Sequence, residues 1–317
     1  MRHPLAWIGY SFVLLALAAG HAAAGEPAFA RKTDVVYGRK HGTALTLDVF
    51  TPQANANGAG VIWVVSGGWF SAYNPDGWKA GSSPVPELLR RGYTVFAVVH
   101  GTQPKFTILE ILDDMHRAVR FVRYHAKDYH IDPDHLGITG GSAGGHLSLM
   151  MGTDAVPGDP KAKDPVERVS SRVQAVACFF PPTDFLNWGK PGAVLDTVNM
   201  DSRFRAAVDF KELDSQKRVF QRITDEKKVR EILGRISPIT HVSADDAPTL
   251  IIHGDIDKLV PLQQSEIMVA RLKEAGVPAK LIVKKDCGHG WITILKDTET
   301  LGDWFDQYLK DKPKASQ

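Results

Sequence analysis

The sequence predicts an α/β architecture: a mostly parallel, eight-stranded sheet with helices on both faces. Three observations carry that expectation. Short apolar runs rich in β-branched residues recur along the chain, and amphipathic stretches of helical period separate most of them. The runs themselves are continuously apolar rather than alternating, as strands covered on both faces must be.

The first two runs, "TDVVYG" and "ALTLDVF", are separated by a short polar turn and read as an antiparallel hairpin. Six further strands follow in "GVIWVVSGG", "YTVFAVVH", "HLGITGG", "VQAVACFF", "APTLIIHGD" and "AKLIVKKDCGHG". The helical period is clearest in "TILEILDDMHRAVRFVRYHA". There Ile108, Leu112, Met115, Val119 and Val122 fall on one stripe, while Glu110, Asp113, Arg117 and Arg120 lie largely elsewhere. "LQQSEIMVARLKEAG" runs to a glycine stop before the last strand, and "LGDWFDQYLK" is the final helix. Residues 183–247 break the rhythm, with no convincing strand, charged helical pieces such as "DEKKVREILGRI", and loops rich in Asp, Asn and Gly. An insertion of that length in a compact α/β domain reads as a helical cap.

Composition excludes several function classes. The formal net charge is +2 and no Lys/Arg block stands out, so neither nucleic acid nor an anionic membrane surface is the expected partner. No HExxH run and no Cys/His ladder of zinc spacing is present, so no metal is expected. Arg2 and His3 precede the apolar run "LAWIGYSFVLLALAAG", and Ala22 and Ala24 offer the small residues a signal peptidase accepts. Residues 1–24 are therefore expected to be a signal peptide and 25–317 the mature domain, periplasmic or secreted and without stable membrane insertion after cleavage. The two cysteines, Cys178 and Cys287, make no disulfide framework; each sits at the end of a predicted strand and reads as a buried small hydrophobe.

The chemistry is concentrated in "ITGGSAGGHL". A P-loop would need lysine where His146 stands, and a dinucleotide fingerprint would need glycine where Ser142 stands. The turn reads instead as GxSxG, directly after an apolar strand and directly before the helix "AGGHLSLMMG". At such a corner the serine backbone is strained, and glycines at 140 and 144 leave room for it. Ser142 Oγ then projects at the carboxyl end of the sheet, beside a helix N-terminus that favours an oxyanion. A serine nucleophile needs a base, and the base an orienting acid. Candidates for both stand just past later predicted strands. "LIIHGDIDKLVP" supplies Asp255 and Asp257, and "VKKDCGHGW" supplies His289.

Almost all of the mature chain resembles α/β-hydrolase esterases of the bacterial feruloyl/acetylxylan esterase type, close to the hormone-sensitive-lipase-like carboxylesterases. The resemblance is carried by "DVVYGRKHGTALTLDVFTP", "DDMHRAVRFVRYHA", "HIDPDHLGITGGSAGGHL", "FFPPTDF", "SPITHVSADDAPTLIIHGDIDKLVPLQQS" and "CGHG". It implies a serine esterase using Ser142, His289 and Asp257, the last favoured over Asp255 by the family spacing HGxxDxxVP. No cofactor is implied, and the expected substrate is a short-acyl, acetyl-type ester, small or linked to a plant polysaccharide. Such enzymes usually carry HGGGW or HGGW after the third strand; here "VVSGGWFSAY" has Ser66 in place of the histidine. The implied oxyanion donors are the backbone N–H groups of Gly68, of Trp69 or Gly67 beside it, and of Ala143. Two rivals are an exopeptidase or prolyl-oligopeptidase-like enzyme, for whose extra domain 317 residues leave no room, and a non-catalytic binding module, which would tend to lose a triad member.

Overall fold

A computed structural model describes residues 28–79 and 83–310; the expected signal segment 1–24 lies outside them. The first strands, β1 (Phe29–Lys40) and β2 (Thr43–Pro52), form the expected antiparallel hairpin. They lead into β3 (Gly60–Val64), β4 (Thr94–Val99), β5 (Leu136–Gly141) and β6 (Ala175–Phe179). Two short strands, β7 (Lys211–Asp214) and β8 (Val219–Arg222), stand apart, and β9 (Thr249–Gly254) and β10 (Ala279–Lys284) complete the main sheet. Its eight strands run in the order β1-β2-β4-β3-β5-β6-β9-β10, antiparallel through β4 and parallel from there on.

Helices α1 (Val85–Arg90), α2 (Ile108–Tyr124), α3 (Ala143–Thr153), α6 (Gln263–Glu274) and α7 (Ile294–Leu309) cover the two faces. Strand residues alternate between two cores, as the period of a strand requires. Ile62, Ile138 and Ile251 meet Met115 and Val119 of α2, Leu147 of α3 and Met268 of α6. Their neighbours Val61 and Ile252 meet Leu88 of α1 and Leu301 and Phe305 of α7. The five residues expected to form the apolar stripe of α2 are all buried. That helix starts on a capping box, in which Thr107 and Glu110 each satisfy the other's backbone N–H.

The insertion departs from expectation in content. It holds α4 (Ser202–Arg205), α5 (Glu226–Arg235) and the β7–β8 hairpin, so it is mixed rather than helical and contains two strands that the sequence hid. The reason is exposure: each strand is four residues long, and the facing pair Leu213 and Phe220 is 57% and 70% exposed. A hairpin that buries no face leaves no continuous apolar run. Cys178 is buried as expected, but Cys287 is not. Strand β10 ends at Lys284, and Cys287 sits half-exposed in the loop beyond it.

Four of the described histidines are buried in this framework, His100, His116, His146 and His253. Burial pushes His100, His116 and His146 down from an ordinary 6.5 to about 4, against the opposing pull of the Gly101 carbonyl, of Asp154 and of the Ile236 carbonyl respectively. Between those two values the unfolded chain takes up protons that the native state refuses. The stability these groups contribute is therefore complete above the unfolded value and lost as pH falls toward the folded one. Thermal unfolding followed by circular dichroism should move to lower temperature between about pH 7 and about pH 4.5. The fall should be shallower in His116→Gln, which keeps a partner for Ser171 Oγ, 2.9 Å from His116 Nδ1, and removes one titrating ring.

Candidate active site

Ser142 occupies the single residue between β5 and α3, with φ 54° and ψ −119°. A non-glycine residue there costs on the order of 1–3 kcal/mol and persists only when its surroundings dictate it. Its N–H donates to the Phe179 carbonyl of β6 at 3.0 Å, and its carbonyl accepts from His146 N–H at 2.9 Å. The flanking glycines are required by close backbone approach. A Cβ on Gly140 would lie 2.5 Å from the Gly144 carbonyl carbon, and one on Gly144 would lie 2.9 Å from the Val64 carbonyl oxygen.

The structure brings Ser142, His289 and Asp257 together. His289 Nε2 is 2.9 Å from Ser142 Oγ, and its Nδ1 is 2.7 Å from Asp257 Oδ2. Asp257 lies three residues past the end of β9, and its side chain has no exposed surface. Four donors hold it there. Oδ1 accepts from the Leu259 and Val260 N–H groups at 2.8 and 3.0 Å, and Oδ2 accepts from His289 and, at 3.2 Å, from His253 Nε2. Burial pushes this carboxyl up, but the bonds from His253, His289 and Val260 outweigh it and hold the group well below the usual carboxylate range. A fixed anion at Nδ1 demands a proton on that nitrogen, which leaves Nε2 as the acceptor facing the Ser142 hydroxyl. The arrangement can draw a proton from Ser142. The Phe180 ring, 4.4 Å from that of His289 between centroids, backs the imidazole.

Asp255 is placed elsewhere. It is exposed, and its Oδ1 accepts from Cys287 N–H at 3.3 Å, which braces the β9 turn against the loop carrying His289.

The segment after β3 forms a tight turn in which Gly67 and Phe70 exchange backbone bonds of 3.0 and 2.9 Å. That exchange commits the Gly67 N–H, so of the two residues left open beside Gly68, Trp69 is the one still able to donate. Gly68 and Trp69 both have left-handed backbones, φ 57° and 59°. Glycine is needed at 68 on a second count, since a Cβ there would be 2.6 Å from Phe204 Cδ1 of α4. Ala143 is the first residue of α3, where a backbone N–H has no acceptor within the helix. Ser66 Oγ is buried without a hydrogen-bond partner.

Ser142, His289, Ser66, Gly67 and Gly68 line a cleft of about 390 Å³ whose walls are largely apolar, including Trp63, Phe179, Phe180, Phe204 and Leu259. A larger hollow of about 810 Å³ lies beside β1 and α2, where Lys40 pairs with Asp114 and Arg117 with Glu167, and none of Ser142, Asp257 or His289 lines it. Among the described residues no cluster of His, Cys, Asp and Glu is placed to hold a metal, and no helix is long and apolar enough to cross a membrane.

Sequence reasoning missed the supporting polar groups. His253 is buried, with Nδ1 accepting from Ser265 Oγ at 2.6 Å and Nε2–H shared between Asp257 and the Val260 carbonyl, so it locks the acid in place. His146, on α3, accepts from the Trp69 indole N–H at 3.2 Å and donates to the Ile236 carbonyl at 2.7 Å. Phe204 comes from the insertion. The motifs "HGD" and "GGHL" contained the two histidines, but nothing in their spacing separates a brace from a bystander.

The sequence profile of the BD-FAE family matches residues 47–272. The chain belongs to the BD-FAE family. This BD-FAE protein is 30% identical over 248 residues to "Probable carboxylic ester hydrolase LipM" of Mycobacterium tuberculosis, covering 78% of this chain and 52% of that one. It spans about half the length of the curated relatives it matches. Among solved structures it is similar to a truncated carbohydrate esterase from gut microbiota, with a TM-score of 0.68, 26% identity and coverage of 89% of this chain and 98% of that one. An acetyl ester-xyloside bifunctional hydrolase from Caldicellulosiruptor lactoaceticus matches in fold, with a TM-score of 0.64 and 24% identity over 90% of this chain and 96% of that one. The sheet order and these likenesses make the BD-FAE fold here that of an α/β-hydrolase.

The different surroundings of the two aspartates give opposite expectations. Asp257→Asn should lower ester turnover by roughly three to four orders of magnitude, measured as kcat on p-nitrophenyl acetate. Asp255→Asn should leave kcat within a few-fold and lower unfolding stability by about 1 kcal/mol in denaturant titration.

Proposed function

We propose that this BD-FAE protein is a serine carboxylic-ester hydrolase working through an acyl-enzyme. The single observation that carries the reading is the position of His289, within hydrogen-bond reach of Ser142 Oγ on one side and of a buried, four-fold-bonded carboxylate on the other. In this reading Ser142 Oγ attacks the ester carbonyl carbon as His289 Nε2 takes its proton. The tetrahedral oxyanion rests on the N–H groups of Gly68, Trp69 and Ala143. Collapse expels the alcohol, which receives the proton from His289; a water deprotonated by the same ring then attacks the acyl group and frees Ser142. Asp257 orients the imidazole and stabilises its cation.

The substrate is a short-acyl ester, of the acetyl type found on plant polysaccharides. Phe180 and Phe204 crowd a cleft of about 390 Å³ near the nucleophile, which favours a small acyl group. The carbohydrate-esterase and acetyl ester-xyloside names of the structural neighbours point the same way. Residues 183–247 act as a cap, through Phe204 above Gly68. The protein works outside the cytoplasm, in the periplasm or secreted, a reading supported by the pattern of Arg2, the apolar run and Ala22/Ala24.

Two measurements test these statements. Ser142→Ala should reduce hydrolysis of p-nitrophenyl acetate to the residue that binding and oxyanion donors leave, roughly 10³–10⁴-fold above water, and should abolish the fluorophosphonate mass adduct seen on the wild type. Near-native turnover in that variant would sink the mechanism. Across p-nitrophenyl esters, kcat/KM should be highest for acetyl and fall steadily toward dodecanoyl; a rise with chain length contradicts the substrate class.

A further inference from the structure

Gly68 and Trp69 are consecutive left-handed residues, a backbone that persists at a tryptophan only where its surroundings over-determine it. Beside the Gly67–Phe70 exchange and the indole bond to His146, one further side chain, outside every motif, holds this peptide. Gln103, 6% exposed, follows β4. Its backbone N–H donates to the Trp69 carbonyl at 3.3 Å, and one hydrogen of its side-chain amide goes to the Gly68 carbonyl at 2.6 Å. The peptide unit is planar and trans, so fixing the Gly68 carbonyl fixes the Trp69 N–H in the opposite direction. That direction is away from Gln103.

The other amide hydrogen donates to the Arg203 carbonyl at 2.7 Å, one residue before Phe204 in the insertion. A single nitrogen thus joins the turn after β3 to the segment whose ring lies over Gly68. The site usually filled by a histidine offers no such support, because Ser66 Oγ touches no partner.

We propose that Gln103 is the positioning residue of the oxyanion loop: its amide presents the Trp69 N–H to the substrate oxygen and ties that peptide to the inserted segment at Arg203. This rests on the ester-hydrolase reading above. Gln103 does not line the cleft and does not touch the reacting atoms; it acts through the Gly68–Trp69 peptide. Released from it, Trp69 N–H wanders from the direction a tetrahedral oxyanion needs, while the ground-state ester binds much as before.

The test compares wild type with Gln103→Met, which keeps length and volume but has no donor, and Gln103→Glu, whose carboxylate cannot face two carbonyl oxygens. Each is measured on p-nitrophenyl acetate, with active sites counted by end-point fluorophosphonate titration, and with a small alkyl boronic acid as the tetrahedral anion mimic. The expected result is a roughly 10- to 100-fold fall in kcat per titrated site, below the cost of deleting a donor outright, with KM within about twofold. The boronate Ki should rise by the same factor as kcat falls, and the pH midpoint of kcat should stay in place. Hydrogen exchange should quicken together in peptides covering 66–72 and 200–208.

A merely structural glutamine would lower the melting temperature or the titratable fraction while leaving kcat per site and boronate affinity unchanged, and that outcome overturns the proposal. If Gln103→Met does not fold, Gln103→Glu carries the same measurements. The two readings fail separately. A wild type that shows no Ser142-dependent turnover removes the hydrolase assignment, whereas an active wild type matched by its Gln103 variants removes only the role given to Gln103.

Discussion

The structure depends on a place where backbone meets backbone with no side chain between. Gly140 at the end of β5 and Gly144 in the first turn of α3 approach so closely that a single added carbon would overlap the opposing main chain. Gly145 is held in the same way, its absent Cβ 2.9 Å from the Phe179 carbonyl oxygen. This draws α3 down onto the sheet until every one of its residues is buried. It also forces Ser142 into a conformation that lifts its hydroxyl clear. A helix buried on all sides cannot be amphipathic, and "AGGHLSLMMG" is not. The strain at the nucleophile and the depth of the central helix are one geometric fact.

How much of this the sequence disclosed follows from what each residue's work leaves as a trace. Strands buried on both faces leave continuous apolar runs, so the eight-stranded sheet was legible, and the stripe of α2 marked its inward face. Ser142, Asp257 and His289 were legible because the fold fixes their order and each follows a strand. The β7–β8 hairpin was hidden because it buries nothing. Cys287 was misplaced because the apolar run of β10 stops at Lys284 while the chain continues into a half-exposed loop. Gln103, His146 and His253 left no trace for another reason. Gln103 and His146 act on a carbonyl and an indole far away in the chain, while His253 reaches a carboxylate four residues on whose partnership depends on the turn between them; none of these contacts has a period.

Two buried aspartates show what decides the state of a carboxyl group. Both Asp257 and Asp114 are pushed up by burial. Asp114 has Lys40 at 2.6 Å and the Gly101 N–H at 2.8 Å, yet burial prevails and its carboxyl stays above the ordinary range. Asp257 has no lysine or arginine beside it, but four donors share its two oxygens, and its carboxyl falls well below that range. At Asp114 burial and the neighbouring Asp113 charge outweigh Lys40, whereas at Asp257 the bonds from His253, His289 and Val260 and the attraction of His289 outweigh burial. The acid beside His289 is thus held ionised by its hydrogen bonds together with the attraction of His289 itself.

The main sheet is open, with β1 and β10 at its margins, and an open margin is a template on which another chain can add. Strand β10 displays exposed Lys280 and Val283 at its margin, next to Lys284. Strand β1 is interrupted twice in its register with β2, once around the left-handed Asp34, and shows exposed Lys32 and Arg39. Lysines on the β10 margin and the register breaks of β1 both work against a flat strand pairing there. Charged side chains and an irregular register at the two margins are features that disfavour strand addition there.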